Sequence, residues 1–232
     1  MKNKYVFTLL FILGFSVSYA QIDSVFVCDV TFKNSKFDNS HAGSGFLLKH
    51  KNKVYGITAK HVLFFAKTDH MKTISFGEDL TSWNFSSKNK NVSIKAGKLV
   101  NEDPNEPLEM PPKGDWLIFE IEGDISEQAA IYSLRTEPLY KGEEVYFLGY
   151  PYNSEQSVTI KGQYIGLTKD NNLRLEVAKG TYNGCSGGPV IDAQGRIVGI
   201  VSMGYFNKAE NKMVFEPASI GYFKDIIERN QQ

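Results

Sequence analysis

Only two cysteines occur among 232 residues, Cys28 and Cys185. So few exclude a disulfide-rich scaffold and a zinc site built on cysteine. In an exported protein they leave three states open: a bridge between them, packed free thiols, or a reactive group at Cys185. Charge of one sign is not in excess either. Twenty-six basic side chains stand against twenty-six acidic ones, and no basic stripe marks a nucleic-acid footprint. Beyond the N-terminus there is no long apolar run, no internal repeat and no low-complexity tract, and helical patterning is scarce. Glu102, Asp103, Glu106 and Glu109 offer oxygens of the kind calcium accepts, but their spacing fits no EF-hand loop. They read as a solvated loop, and neither metal nor cofactor is expected.

What is present begins with a leader. Lys2 and Lys4 precede an apolar run from Tyr5 to Phe15, and Ser18-Tyr19-Ala20 supplies small residues where a signal peptidase reads. The run is too short for a membrane span, which needs about 20 residues. Residues 1–20 are therefore expected to be a signal peptide cleaved after Ala20. Residues 21–232 should be exported, to a periplasm or beyond, without stable membrane association. Loss of Lys2 and Lys4 leaves 24 basic against 26 acidic side chains, a net charge of −2.

Strand signals dominate the rest. Val25–Phe32, Phe46–Leu48, Val54–Thr58, Met71–Phe76, Val92–Val100 and the stretch 115–123 form a first group. Lys49–Lys53 reads as a polar hairpin turn. The segment 101–115 has four prolines and reads as a long surface loop, since proline cannot sit in a central strand. A second group follows: Ala130–Leu134, Glu144–Gly149, Val158–Lys169, Leu173–Ala178, Val190–Asp192, Ile197–Met203 and Met213–Glu216. Short strands divided by turns indicate an all-β sandwich or barrels. The break near Ile125–Gln128 separates two units, about 22–124 and about 129–216. Only about 218–230 has helical character, with Tyr222, Ile226 and Ile227 on one face.

One stretch concentrates small residues around a hydroxyl: "TYNGCSGGPV", with Ser186 at its centre. Such a loop can expose a serine and aim backbone N–H groups at one point. A serine is a weak nucleophile without a base, and the base needs an orienting partner. Four histidines are available. His50 sits in the predicted hairpin turn, His70 in a polar segment, and His41 before a glycine-rich entry. His61 alone directly follows an apolar strand that can hold its ring. Asp115 opens another apolar strand after Gly114, where a carboxylate can be partly buried and still accept an N–H. Each of the three residues lies at a border of strand and loop, in the order His61, Asp115, Ser186. That order opposes an esterase of α/β-hydrolase type, in which serine comes first.

"TAKHV", "GDWLIFEI" and "GCSGGPV", in this sequence, resemble chymotrypsin-fold, trypsin-like serine proteases, and especially the bacterial peptidases related to the HtrA (DegP) group. "KGEEVYFLGYP" and "GRIVGIVS" resemble further strands of that group, so the likeness extends over about residues 25 to 230. The PDZ domain of that group is not expected within residues 1–232. The resemblance implies an all-β fold of two six-stranded antiparallel β-barrels of chymotrypsin type with a short C-terminal helix. It implies a serine endopeptidase acting through an acyl-enzyme. Ser186 would be the nucleophile, His61 the base and Asp115 its orienter, with the N–H groups of Gly184 and Ser186 as oxyanion hole. By the same match Ser202, Met203 and Gly204 would pair with a polypeptide substrate bound as an extended strand. Gly180 stands where trypsin-like members carry the aspartate that binds Lys or Arg, so a small or apolar side chain is expected there. Cys185 replaces an aspartate that pairs with a newly cut N-terminus, and activation through that ion pair is not expected. The rival reading is an inactive protease-fold module that binds peptides or protein partners. Oligomeric state is left open.

Overall fold

The computed structural model describes residues 23–229 other than 90, 111 and 113. The expected signal peptide, residues 1–20, lies outside them. Eight strands form in the first half: β1 (Phe26–Phe32), β2 (Ser44–His50), β3 (Lys53–Thr58), β4 (Thr73–Ile74), β5 (Leu80–Ser86), β6 (Ser93–Leu99), β7 (Asp103–Pro107) and β8 (Leu117–Glu122). Six of them pair antiparallel in the ring β1-β5-β6-β8-β3-β2, which the β1–β2 pairing closes. Closure leaves no long exposed sheet edge to pair with other chains.

One barrel strand differs from the sequence reading. Met71–Phe76 contributes only β4, which lies off the barrel. Its place in the ring belongs to β5, whose serines and asparagine hide the pattern: Trp83 and Phe85 turn inward, alternating with Ser82 and Asn84. Trp83 packs on Phe119 with ring centroids 5.0 Å apart, and Phe85 meets the same ring at 6.1 Å. Burial of aromatic side chains like these contributes roughly 2–3 kcal/mol each. The segment 101–115 also departs from a plain loop, because β7 pairs with β4 as a separate two-stranded sheet. The hairpin turn is tighter than expected, occupying Lys51 and Asn52 alone, and His50 ends β2 with its ring on Phe223.

The second half opens with β9 (Ile131–Ser133). It does not join the second barrel, as the sequence grouping had it, but pairs parallel with β2. The remaining strands close a six-stranded antiparallel barrel: β10 (Glu144–Gly149), β11 (Val158–Leu167), β12 (Leu173–Val177), β13 (Pro189–Asp192), β14 (Ile197–Asn207) and β15 (Lys212–Ser219). Helix α1 (Ile220–Arg229) then carries the chain back to the first barrel. Its buried face is Phe223, Ile226 and Ile227, and Phe223 packs on Trp116 at 5.6 Å and Tyr55 at 6.0 Å.

Candidate active site

The strand β3 ends at Thr58, and the chain turns at once into a 3-10 helix, Lys60–Phe64. That turn sets His61 at the end of the first barrel, 6% exposed. Asp115 precedes β8 in the neighbouring position of the same barrel, because β3 and β8 pair through Thr58 and Leu117. Its carboxylate, 4% exposed, accepts twice from His61: Oδ1 from the backbone N–H at 2.8 Å, and Oδ2 from the ring Nδ1 at 2.6 Å. A carboxylate oxygen only accepts, so Nδ1 carries the proton. In the neutral ring Nε2 then holds the lone pair. Ser202, on β14 of the second barrel, donates its hydroxyl to the same Oδ2. Asp115 is thus fixed by groups from both barrels.

Lys60 adds a feature that the sequence reading missed. Its side chain is fully buried, yet Nζ meets Glu106 Oε1 at 2.5 Å and Tyr222 Oη at 3.3 Å. The ammonium also lies 5.0 Å from the Tyr222 ring centroid. One carboxylate of the acidic stretch is therefore engaged by the residue before His61. Glu102 is bonded to Ser75. The signal was the lysine itself, placed where the pattern of a buried strand end calls for an apolar side chain.

Ser186 lies in the loop between β12 and β13, partly exposed. Its carbonyl accepts from Ser44 N at 2.8 Å, which ties the loop to β2 of the first barrel. Gly184 has φ +100, and a Cβ there would come within 2.5 Å of Tyr150 O. Only glycine allows both that angle and that approach. Among the described residues neither Gly184 N–H nor Ser186 N–H has a protein partner. A cavity of about 320 Å³ adjoins Ser186. Gly180, Ser202 and Gly204 line it, as do Tyr182, Met213 and Phe215. Met203 faces outward, 37% exposed.

The structure thus joins His61 to Asp115, joins Asp115 to Ser202, and sets Ser186 and Ser202 on one cavity. Among the described residues Ser186 Oγ makes no hydrogen bond, to His61 or to any other group. Cys185 is wholly buried in the second core, and Cys28 in the first. Both are free thiols, and burial pushes each up to about 12. The thiolate needed of a nucleophile is disfavoured at both.

No curated protein matches the sequence. Among solved structures, the serine endoprotease from Yersinia pestis is similar, with a TM-score of 0.59 at 17% identity. The likeness covers 91% of this chain but only 64% of that one, and at this identity it speaks for the fold. The family model for a trypsin-like peptidase domain matches residues 43–200, well over half of the sequence. With two closed six-stranded barrels and a histidine–aspartate pair at the end of the first, the chain belongs to the trypsin-like peptidase family.

Proposed function

We propose that this peptidase is a serine endopeptidase with Ser186 as nucleophile, His61 as general base and Asp115 as its orienter. The observation that carries the reading is the doubly bonded His61–Asp115 pair, which directs the Nε2 lone pair away from the carboxylate. Ser186 Oγ attacks the scissile carbonyl carbon and its proton passes to Nε2. The proton then goes to the leaving amine as the C–N bond breaks, and water repeats the sequence on the acyl-enzyme. The carbonyl oxygen, negative in the tetrahedral intermediate, receives the N–H groups of Gly184 and Ser186. Each such donor contributes about 3 kcal/mol to transition-state stabilisation.

Substrate binding follows from β14. Its partner β13 ends at the pair Pro189–Ile200, whereas β15 continues beside Met203 and Gly204. One edge of Ser202–Gly204 is left for an extended peptide to join as a strand. Among the described residues no charged side chain lines the cavity beside Ser186, and Met213 and Phe215 form part of its wall. It suits a small or apolar side chain at the cleaved residue. Export follows from the leader-like residues 1–20; among the described residues no helix is long and apolar enough to cross a membrane.

A fluorophosphonate probe tests the reading. The freshly purified wild type should be labelled and should cleave peptides, and Ser186→Ala should do neither. An unlabelled, folded wild type would leave a peptide-binding module instead.

A further inference from the structure

Four consecutive carbonyls in the nucleophile loop each accept a hydrogen bond. Asn183 O receives Tyr152 N at 2.9 Å, and Gly184 O receives Ser44 Oγ at 2.8 Å. Cys185 O receives Gly188 N at 2.9 Å, and Ser186 O receives Ser44 N at 2.8 Å. A trans peptide points its N–H opposite its own carbonyl. The bonds at Asn183 O and Cys185 O therefore set the directions of Gly184 N–H and Ser186 N–H. Neither of those two amides has a protein partner among the described residues. The bonds from Ser44 hold the peptide units on either side of the Cys185–Ser186 link.

Ser44 is placed for that task. It is 0% exposed and comes from the other barrel, at the start of β2. Its Oγ accepts from Tyr150 N at 2.8 Å while donating to Gly184 O, so both capacities of the hydroxyl are used. Its carbonyl is held in turn by Thr58 Oγ1 at 2.7 Å. Among the described residues no carboxylate bonds to residues 183–187, and the buried Cys185 thiol supplies no anion.

Resting on the endopeptidase reading, we infer that Ser44 is a positioning residue for the oxyanion hole. Its buried hydroxyl and amide orient the loop from the opposite barrel as the chain folds, so the hole needs no ion pair and no new chain terminus. Loss of the Ser44 hydroxyl leaves the triad side chains in place but removes its bond to Gly184 O, and the 183–185 backbone can then turn.

The test compares wild type, Ser44→Ala and Ser44→Thr in peptide hydrolysis and in binding a peptide aldehyde. Ser186 Oγ adds to the aldehyde carbon, its proton passes to His61, and the former carbonyl oxygen occupies the hole. Folded Ser44→Ala should lose about 10- to 100-fold in kcat with KM within about twofold. Aldehyde affinity should fall by the same factor as kcat/KM. Ser44→Thr, which keeps the hydroxyl, should recover most of both. Folded Ser44→Ala with kcat and aldehyde affinity within about twofold of wild type would overturn the inference. Should Ser44→Ala not fold, the wild type labelled with 13C and 15N at glycine decides. On aldehyde addition the Gly184 amide proton should move downfield while its carbonyl carbon stays, and a carbonyl that moves with the amide overturns the inference. A wild type that neither cleaves nor takes the aldehyde strikes the endopeptidase reading, and this one with it; an active wild type matched by Ser44→Ala strikes this one alone.

Discussion

At Gly180 a single hydrogen atom decides what the cavity beside Ser186 can hold. A Cβ there would lie 2.6 Å from Cζ and Oη of Tyr182. The tyrosine is itself fixed, donating to Ala178 O at 2.9 Å and packing edge-on against Phe147 and Phe215. An aspartate for Lys or Arg recognition cannot enter unless that ring moves. A peptide library should therefore show cleavage after small or apolar residues. Gly180→Asp should lose activity without gaining cleavage after Lys or Arg. A variant that cuts after Arg would show that Tyr182 yields. Asp115 is the other instructive residue. Its position before an apolar strand suggested a carboxylate able to accept an N–H, and that much was legible from neighbours in sequence. Its bond to Ser202 was not, because the two residues are 87 positions apart. Ser202 had been read only as part of a strand that meets substrate.

Elements differ in how openly they announce themselves. Strands such as Glu144–Gly149 and Ile197–Met203 carry continuous apolar runs and were readable. Leu80–Ser86 was not, since polar residues outnumber its two inward aromatics, and those become meaningful only when the barrel closes around them. The two-stranded sheet of β4 and β7 is a further case. Prolines exclude β7 from a barrel interior, yet an edge pairing tolerates them. What fastens this sheet to the site is the Lys60–Glu106 ion pair, helped by Tyr222 of α1. Lys60 is fully buried, so removing the Glu106 carboxylate takes an ionic partner from a poorly solvated cation. Glu106→Gln should cost about 3 kcal/mol, read as a lower midpoint in urea unfolding. Replacing Lys60 and Glu106 together by Met and Leu should cost less than that, because the desolvation penalty disappears with the charge. A double variant no better than Glu106→Gln would assign the loss to packing instead.

Across the whole molecule, the passage between barrels is held by charge. Arg135, 5% exposed, follows β9 and bonds Glu143 and Asp192 of the second barrel. Its backbone N–H donates to Ile197 O at 2.9 Å. The hydrogen bond from Arg135 is the main reason that Glu143 is held below the usual carboxylate range. Burial pushes Asp192 upward, but the N–H groups and side chain of Arg196 outweigh it, and the net direction is down. A carboxylate depressed in the folded state stabilises it fully above the unfolded value, about 4. That stability is lost as pH falls through the lower folded values. Urea unfolding at pH 7 and pH 3 should show the wild type losing more stability than Arg135→Leu, whose baseline at pH 7 is already lower. Equal losses would remove Arg135 from the acid response.

The sequence by itself determined the local facts: alternating strands and their turns, one amphipathic helix, a glycine-rich loop around Ser186, and a histidine and an aspartate at strand borders. Those depend on neighbours a few positions apart, where residue type and period are enough. Tertiary structure alone decided which strands close each ring, that β9 serves the first barrel, and that Ser44, Ser202 and Lys60 reach the site. These depend on hydrogen bonds and burial between segments distant in sequence, and a buried polar group declares its purpose only when the partner that satisfies it is in place.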